Sequence, residues 1–399
     1  MNNILTASGW AFGLLETGAD GRIAAIRARP VGTPLPGYGY LLPGFVDLHV
    51  HGAGGVDLMD GGEAAQQVAA SLAASGTTAF LATTMTAPEA ELREATAAIG
   101  RIERRERPAH CARLLGVHLE GPFLNPGQLG AQPPHARRAR DGEIDTLLAL
   151  ASVRLVTLAP ELEGQLDTIR RLVRRGIRVQ LGHSSGSYEQ GVAALQCGAS
   201  GFAHLFNAMS GLHHRAPGLV GAALAHAEYA EMIPDLAHLH AGAMRAALRA
   251  IPRLYCVSDA CAATGMPDGA YRLGAQRVFR RPGQPGARLA DGRLAASTLT
   301  LDAALRNLVK LGLSIADASD RVSRFPADFL GLPERGRLAP GAWADTVRLD
   351  PELRVEAVTI EGRTVERAAP SRRQPPESRP EDRPEDRPDP RPCTEAGHV

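Results

Sequence analysis

His49-Val50-His51 is the point in the chain where a chemical reading begins. If GFVDLHVH is a strand, alternation puts both imidazoles on one face, a spacing suited to a single metal ion. Other apolar runs close on residues of the same kind: Glu120 in GVHLEGP, His183 in QLGHSS, His204 in FAHLFNAM, His238 in PDLAH and Asp259 in CVSDA. One histidine ending an apolar strand is ordinarily a hydrogen-bonded core residue. Gathering this many ionisable groups on one rim is costly unless a cation or a substrate satisfies them. Imidazoles with a carboxylate suit Zn²⁺ or Fe²⁺. Asp259 is then the natural general base, able to take a proton from a cation-activated water and pass it to a leaving nitrogen. A further ligand or a cap on the following turn is the alternative role for Asp259, and the roles are compatible.

These residues need a scaffold that brings distant strand ends together. Eight short apolar runs recur: Gly44–His51, Thr78–Met85, Leu114–Gly121, Val153–Glu161, Arg178–Ser185, Gly201–Met209, Glu231–His238 and Leu254–Ala260. Between them, segments such as Glu63–Ser75, Ala90–Arg105, Gln165–Arg175 and Tyr188–Gln196 carry apolar residues at i, i+3 and i+4. Leu301, Leu305 and Leu308 continue such a stripe after the eighth run. Alternating strands and helices imply a parallel sheet, and eight units are the count that closes an α/β (β/α)8 TIM-like barrel. In that fold, side chains at the C-terminal strand ends face the active-site mouth. A doubly wound open sheet is the rival, but a glycine-rich dinucleotide turn is missing after the first strand.

The barrel is expected over residues 43–335. Residues 1–42 and 336–367 read as short strands too few for a core of their own, so the two ends are expected to pair into one small β-sandwich domain. Residues 368–399, with the repeated RPED unit, read as a disordered tail.

Composition narrows the function. The net charge is +1 and aromatics are 4% of 399 residues, which argues against nucleic acid or a membrane surface as partner. Lys310 is the single lysine, read as an exposed helix charge, so a metal bridge through a carboxylated lysine is excluded elsewhere. Five cysteines form no C-x-x-C pair, and the N-terminus has no basic region followed by an apolar stretch; a cytoplasmic location is expected.

The arrangement resembles the metal-dependent amidohydrolase superfamily: His49-x-His51 on strand one, histidines closing strands five and six, and aspartate closing strand eight. The motifs HLEGPFLNP, LGHSSGSY, HLFNAMSGLHHRAPGLVG and VSDACAATGMPDG together resemble the N-acetylglucosamine-6-phosphate deacetylases, from about Pro43 to Gly341. The resemblance implies that Glu120, His183 and His204 form the principal metal site, with His49 and His51 at a second, so one or two divalent ions per subunit. It makes Asp259 the catalytic acid/base. It places Asn207, Ala208, Arg215, Asp235, Leu236, Ala237 and His238 at the sugar phosphate, with Ala131, Gln132, Leu294, Ala295 and Ala296 also lining the substrate. It further implies a homodimer in which Arg215 can serve the partner subunit.

Three segments depart from the family pattern. Gly130-Ala131-Gln132 has an amide where histidine is usual. Asp235-Leu236-Ala237-His238 has leucine where glycine is usual, and Ala296-Ser297-Thr298-Leu299-Thr300 has lost a glycine. His118 is expected beneath the ligands, His213 and His214 in a solvent-facing loop that can reach phosphate, His226 and His240 on helices or turns, and Cys256 and Cys261 as buried thiols. The expected reaction is hydrolysis of N-acetylglucosamine 6-phosphate to glucosamine 6-phosphate and acetate. The alternatives are the galactosamine epimer, deamination of a nucleobase or nucleoside, and a non-enzymatic binding protein on a degraded barrel.

Overall fold

The computed structural model describes residues 1–140 and 142–366; the expected tail lies outside the described residues. Eight parallel strands follow one another around a ring: Phe45–Val50, Thr77–Thr84, Arg113–Glu120, Val153–Leu158, Arg178–Leu181, Gly201–Phe202, Tyr229–Met232 and Arg253–Cys256. The first six form one sheet in sequence order and the last two a parallel ladder. Leu205 N donates to Glu231 O at 2.9 Å, joining strand six to strand seven. Val50 bridges Ala260, and Asp259 N donates to His49 O at 3.0 Å, joining the eighth strand to the first. This is the expected barrel.

Every residue of Thr77–Thr84 is buried, because ring interior and helix layer cover both faces of the strand. Helices Ala64–Ala73, Glu89–Glu103, Glu143–Leu150, Gln165–Arg174, Tyr188–Gln196, Gly218–His226, Ala241–Ala250 and Leu301–Lys310 follow the eight strands in turn. Leu301, Ala304, Leu305 and Leu308 are the buried stripe of the last of these, a spacing of one helical face. Ser187 and Gln190 form a reciprocal capping box that starts Tyr188–Gln196.

The strands are shorter than the apolar runs that announce them. Strand six ends at Phe202, strand seven at Met232 and strand eight at Cys256. His204, Phe206, Ala208, Leu236 and Asp259 all have positive φ, so the backbone has left extended geometry before the chemical residues are reached.

One element is not anticipated by the sequence reading. Between strand eight and its helix lie four antiparallel strands, Gly269–Leu273, Gln276–Arg280, Ala287–Arg288 and Leu294–Ala296. The signal was local: Tyr271, Leu273 and Val278 alternate with polar residues around Gly274, and Asp291-Gly292 makes a second turn. This insert delivers Leu273, Leu294 and Ala295 to the barrel mouth.

The chain ends do pair. In hydrogen-bonding terms the expected sandwich is one continuous seven-stranded sheet, with Tyr40–Pro43 between Asn2–Thr6 and Thr346–Leu349. Glu361 of this sheet fastens it to the barrel. Arg113 donates to it at 2.8 and 2.6 Å, Arg107 at 3.1 Å and Arg335 at 2.6 Å, while Arg335 also reaches Asp345 at 2.5 Å. Burial pushes the Glu361 carboxyl up, but the bonds from Arg113 and Arg335 overcome this and hold it at about 2, against an ordinary 4.5. A depressed carboxylate stabilises fully above its unfolded value. Thermal stability is therefore expected to fall as pH drops from about 4.5 towards 2, and Glu361→Gln is expected to flatten that part of a Tm-against-pH curve.

Candidate active site

Glu120 ends strand three, buried among four imidazoles. Its Oε1 lies 3.1 Å from His183 Nε2, 2.9 Å from His204 Nε2 and 3.3 Å from His49 Nε2. Its Oε2 lies 3.2 Å from His51 Nε2. His183 and His204 present Nε2 atoms 3.1 Å apart, and His49 and His51 do so at 3.2 Å. Asp259 Oδ1 stands 3.5 Å from His49 Nε2 and 3.4 Å from His51 Nε2. Three groups of possible ligands result among the described residues: Glu120, His183 and His204, and His49, His51 and Asp259, with Glu120 between these two donor sets, and a third, His49, His118 and Glu231, that shares His49.

The spacings fit a small divalent cation. Ligands at about 2.0–2.1 Å around a tetrahedral ion are separated by about 3.3 Å along each edge. Pairs of ring nitrogens directed at one another satisfy each other poorly, whereas a shared cation satisfies all of them. Their outer nitrogens are fixed by the protein in two cases. His49 Nδ1 bonds Glu231 Oε2 at 2.9 Å, and His183 Nδ1 donates to Gln128 O at 2.8 Å. Each such bond selects the tautomer that leaves Nε2 free to ligate.

Electrostatics point the same way. Burial pushes Glu120 up, yet His49 and His183 reverse this and hold it well below the carboxylate range. Asp259 behaves alike: burial raises it, and the His51 hydrogen bond with the charges of His49 and His51 brings it below its ordinary value. Both are anions facing a region that attracts positive charge.

Strained backbone is held in place here. His183 (φ 49°), His204 (φ 25°) and Asp259 (φ 48°) are left-handed, a conformation costing about 1 kcal/mol or more for a residue with a Cβ. His204 N donates to Glu231 Oε2 at 3.1 Å and Ser297 N donates to Asp259 O at 3.1 Å, which pins two of the three. Glu231 is thus a functional residue that sequence reasoning missed: one carboxylate oxygen aims His49 and fixes the His204 backbone. A glutamate at the start of an apolar run was its signal. Glu231→Gln is expected to weaken metal affinity about 10- to 100-fold, measured by competition with a chelating dye.

A cavity of about 200 Å³ opens over both donor sets. Ala131, Gln132, Asn207, Ala208, His238, Leu294 and Ala295 line it as expected, with Met85, Ile233 and Leu273 added. His238 Nδ1 is bound to Asp235 Oδ2 at 2.7 Å, and Asp235 Oδ1 accepts from the 237 and 238 amides, so Asp235 sets the ring and Nε2 remains for a ligand. Leu236, left-handed at φ 64° where glycine would be unstrained, is 47% exposed, and neither it nor Ala237 lines the cavity. Ala296 is buried behind the wall. Arg215 is exposed against His214, outside the cavity of its own chain.

The remaining candidates fall outside the chemistry. His118 sits beneath His49, its Nε2 2.7 Å from Thr157 Oγ1; burial drives it down to about 3, a neutral packing ring. His240 caps Ala241–Ala250 and His226 bonds Tyr188. Burial pushes Cys256 and Cys261 up to about 12, inert thiols.

Comparison with known proteins agrees with this geometry. Residues 40–365 match the Amidohydrolase family. The chain belongs to the amidohydrolase family. Among curated members of that family, an N-acetylgalactosamine-6-phosphate deacetylase of Escherichia coli O157:H7 is 41% identical over 90% of this chain and 96% of its own. An N-acetylglucosamine-6-phosphate deacetylase of Vibrio furnissii is 40% identical over 84% and 85%. Of solved structures, the N-acetylglucosamine-6-phosphate deacetylase of Thermotoga maritima superposes with a TM-score of 0.84 at 32% identity, covering 92% of this chain and 99% of that one. A variant of the Mycobacterium smegmatis enzyme in complex with N-acetyl-D-glucosamine-6-phosphate gives 0.82 at 34%, over 91% and 97%. No helix among the described residues is long and apolar enough to cross a membrane.

Proposed function

We propose that this amidohydrolase removes acetate from N-acetylglucosamine 6-phosphate in amino-sugar catabolism, leaving glucosamine 6-phosphate. The observation that carries the reading is the convergence of Glu120, His183, His204 and Asp259 on the floor of one cavity, in a chain 35–41% identical to hexosamine-phosphate deacetylases. Glu120, His183 and His204 would hold one Zn²⁺ or Fe²⁺, and His49 and His51 with Asp259 a second. When bound, the cation supplies Lewis acidity, polarising the amide carbonyl and making water a better acid.

The chain's own groups do the rest. Asp259 takes the proton of the attacking water; the water oxygen bonds to the acetamide carbon; Asp259 returns the proton to nitrogen as the C–N bond breaks. His238, fixed by Asp235, and Asn207 orient the sugar. A phosphate dianion suits a planar arginine, and the exposed Arg215 meets that need if a second copy of the chain brings it to the cavity, which keeps a cytoplasmic homodimer within this reading.

The epimer is the second reading, favoured by the Escherichia coli relative, which carries the galactosamine name at 41% identity. Initial rates of acetate release from the two 6-phosphates separate them. We expect the higher kcat/KM on the glucosamine compound; the reverse order would establish the epimer, and no release from either would overturn the reaction.

A further inference from the structure

Gln132 comes from the loop after strand three and is buried against Glu120. Its Nε2 donates to Glu120 Oε2 at 2.5 Å and its Oε1 accepts from Thr86 N at 2.7 Å. The direction of the amide is fixed by chemistry. A backbone N–H can only donate, so Oε1 must face Thr86, and the carboxylate then receives the NH₂ group. Both ends of the side chain are committed to protein partners on different elements, Thr86 in the loop after strand two and Glu120 at the end of strand three.

The consequence concerns the carboxylate shared by the two donor sets. Glu120 can rotate about its last bond, exchanging which oxygen faces which imidazoles. With Gln132 gripping Oε2, that rotation is stopped. Oε1 is left to His183, His204 and His49, while Oε2 divides its lone pairs between the amide and the side facing His51, 3.2 Å away. An oxygen already accepting a short hydrogen bond is a poorer ligand than a free one.

We infer that Gln132 is a positioning residue that commits Glu120 to the His183–His204 set and makes the His49–His51–Asp259 set the weaker of the two. It acts through Glu120, and it rests on the metal-hydrolase reading. Two cation equivalents should therefore bind in separate steps, with the first distinctly tighter.

The test uses the full chain, stripped with chelator and titrated with Co²⁺, following the visible d–d bands and isothermal heat. Gln132→Met keeps the length and removes both bonds; Gln132→Asn keeps an amide too short to span Thr86 and Glu120 and serves if the methionine variant does not fold. In either, the first Co²⁺ should bind about 10- to 100-fold more weakly, the interval between the two steps should narrow, and the band pattern of the first equivalent should change. On the Zn²⁺-loaded enzyme kcat should fall while KM for the sugar phosphate moves less than threefold. A folded variant with unchanged first-step affinity and a raised KM would overturn the inference and make Gln132 a direct substrate contact. A wild-type chain binding no Co²⁺ would overturn both the inference and the reading beneath it; loss in the variant alone cannot be confused with that outcome.

Discussion

Asp259→Asn is expected to lower deacetylation by at least about 10³-fold while the protein keeps its cation and its fold. Three features make this substitution a clean test. Asparagine has the shape of aspartate and tolerates the left-handed backbone found here at φ 48°, so the strained turn survives. The Ser297 and His49 backbone bonds at this residue involve only main-chain atoms, and they persist. Glu120, His183 and His204 are untouched, so the tighter cation stays. What disappears is the ability to carry a proton between water and the departing nitrogen. Acetate release, metal per chain and Tm should be measured on one preparation. Turnover within tenfold of wild type, with the tighter cation retained, would remove Asp259 from the role of acid and base.

The residues of the candidate site were legible because they break a pattern. One imidazole or carboxylate closing an apolar run is ordinary, but six of the eight runs close in this way. The barrel itself was legible for a related reason: strands covered on both faces become short apolar runs, and one-sided helices give an i, i+3, i+4 stripe. Residues whose role lies in whom they touch were harder to see. Glu231 looked like the polar start of a strand, and its bonds to His49 and the His204 amide exist only once the closed barrel brings strands one, six and seven around a common interior. Gln132 was legible as a departure from the family pattern, but not its clamp between Glu120 and Thr86, because Thr86 lies 46 residues away in sequence. The four-stranded insert escaped notice because its strands are short and its buried face is small, leaving weak alternation. Arg215 shows the opposite limit. Its chemistry suits a phosphate, yet a single chain leaves it on the surface, so its contribution depends on assembly.

Glu120→Gln is expected to have the largest effect of any single change at the site. The carboxylate is the one group facing all four imidazoles, His49, His51, His183 and His204, at 2.9 to 3.3 Å. An amide is the same size and still accepts from Gln132, so packing is preserved. Its oxygen carries no net charge, however, and its NH₂ group would face ring nitrogens that also need to ligate. Both donor sets are damaged at once, unlike in Glu231→Gln, where every ligand remains and only the aim of His49 is lost. Metal content should fall below about one tenth of wild type, and with the Lewis acid gone turnover should drop by about 10⁴-fold or more. Excess Zn²⁺ should restore little of it, whereas it should restore most of the activity of Glu231→Gln. Plasma emission spectrometry after dialysis, with acetate release at rising Zn²⁺, reads both quantities. If Glu120→Gln kept its cation and its turnover, the carboxylate would not be the shared ligand, and the ordering of the two sets through Gln132 would lose its physical basis.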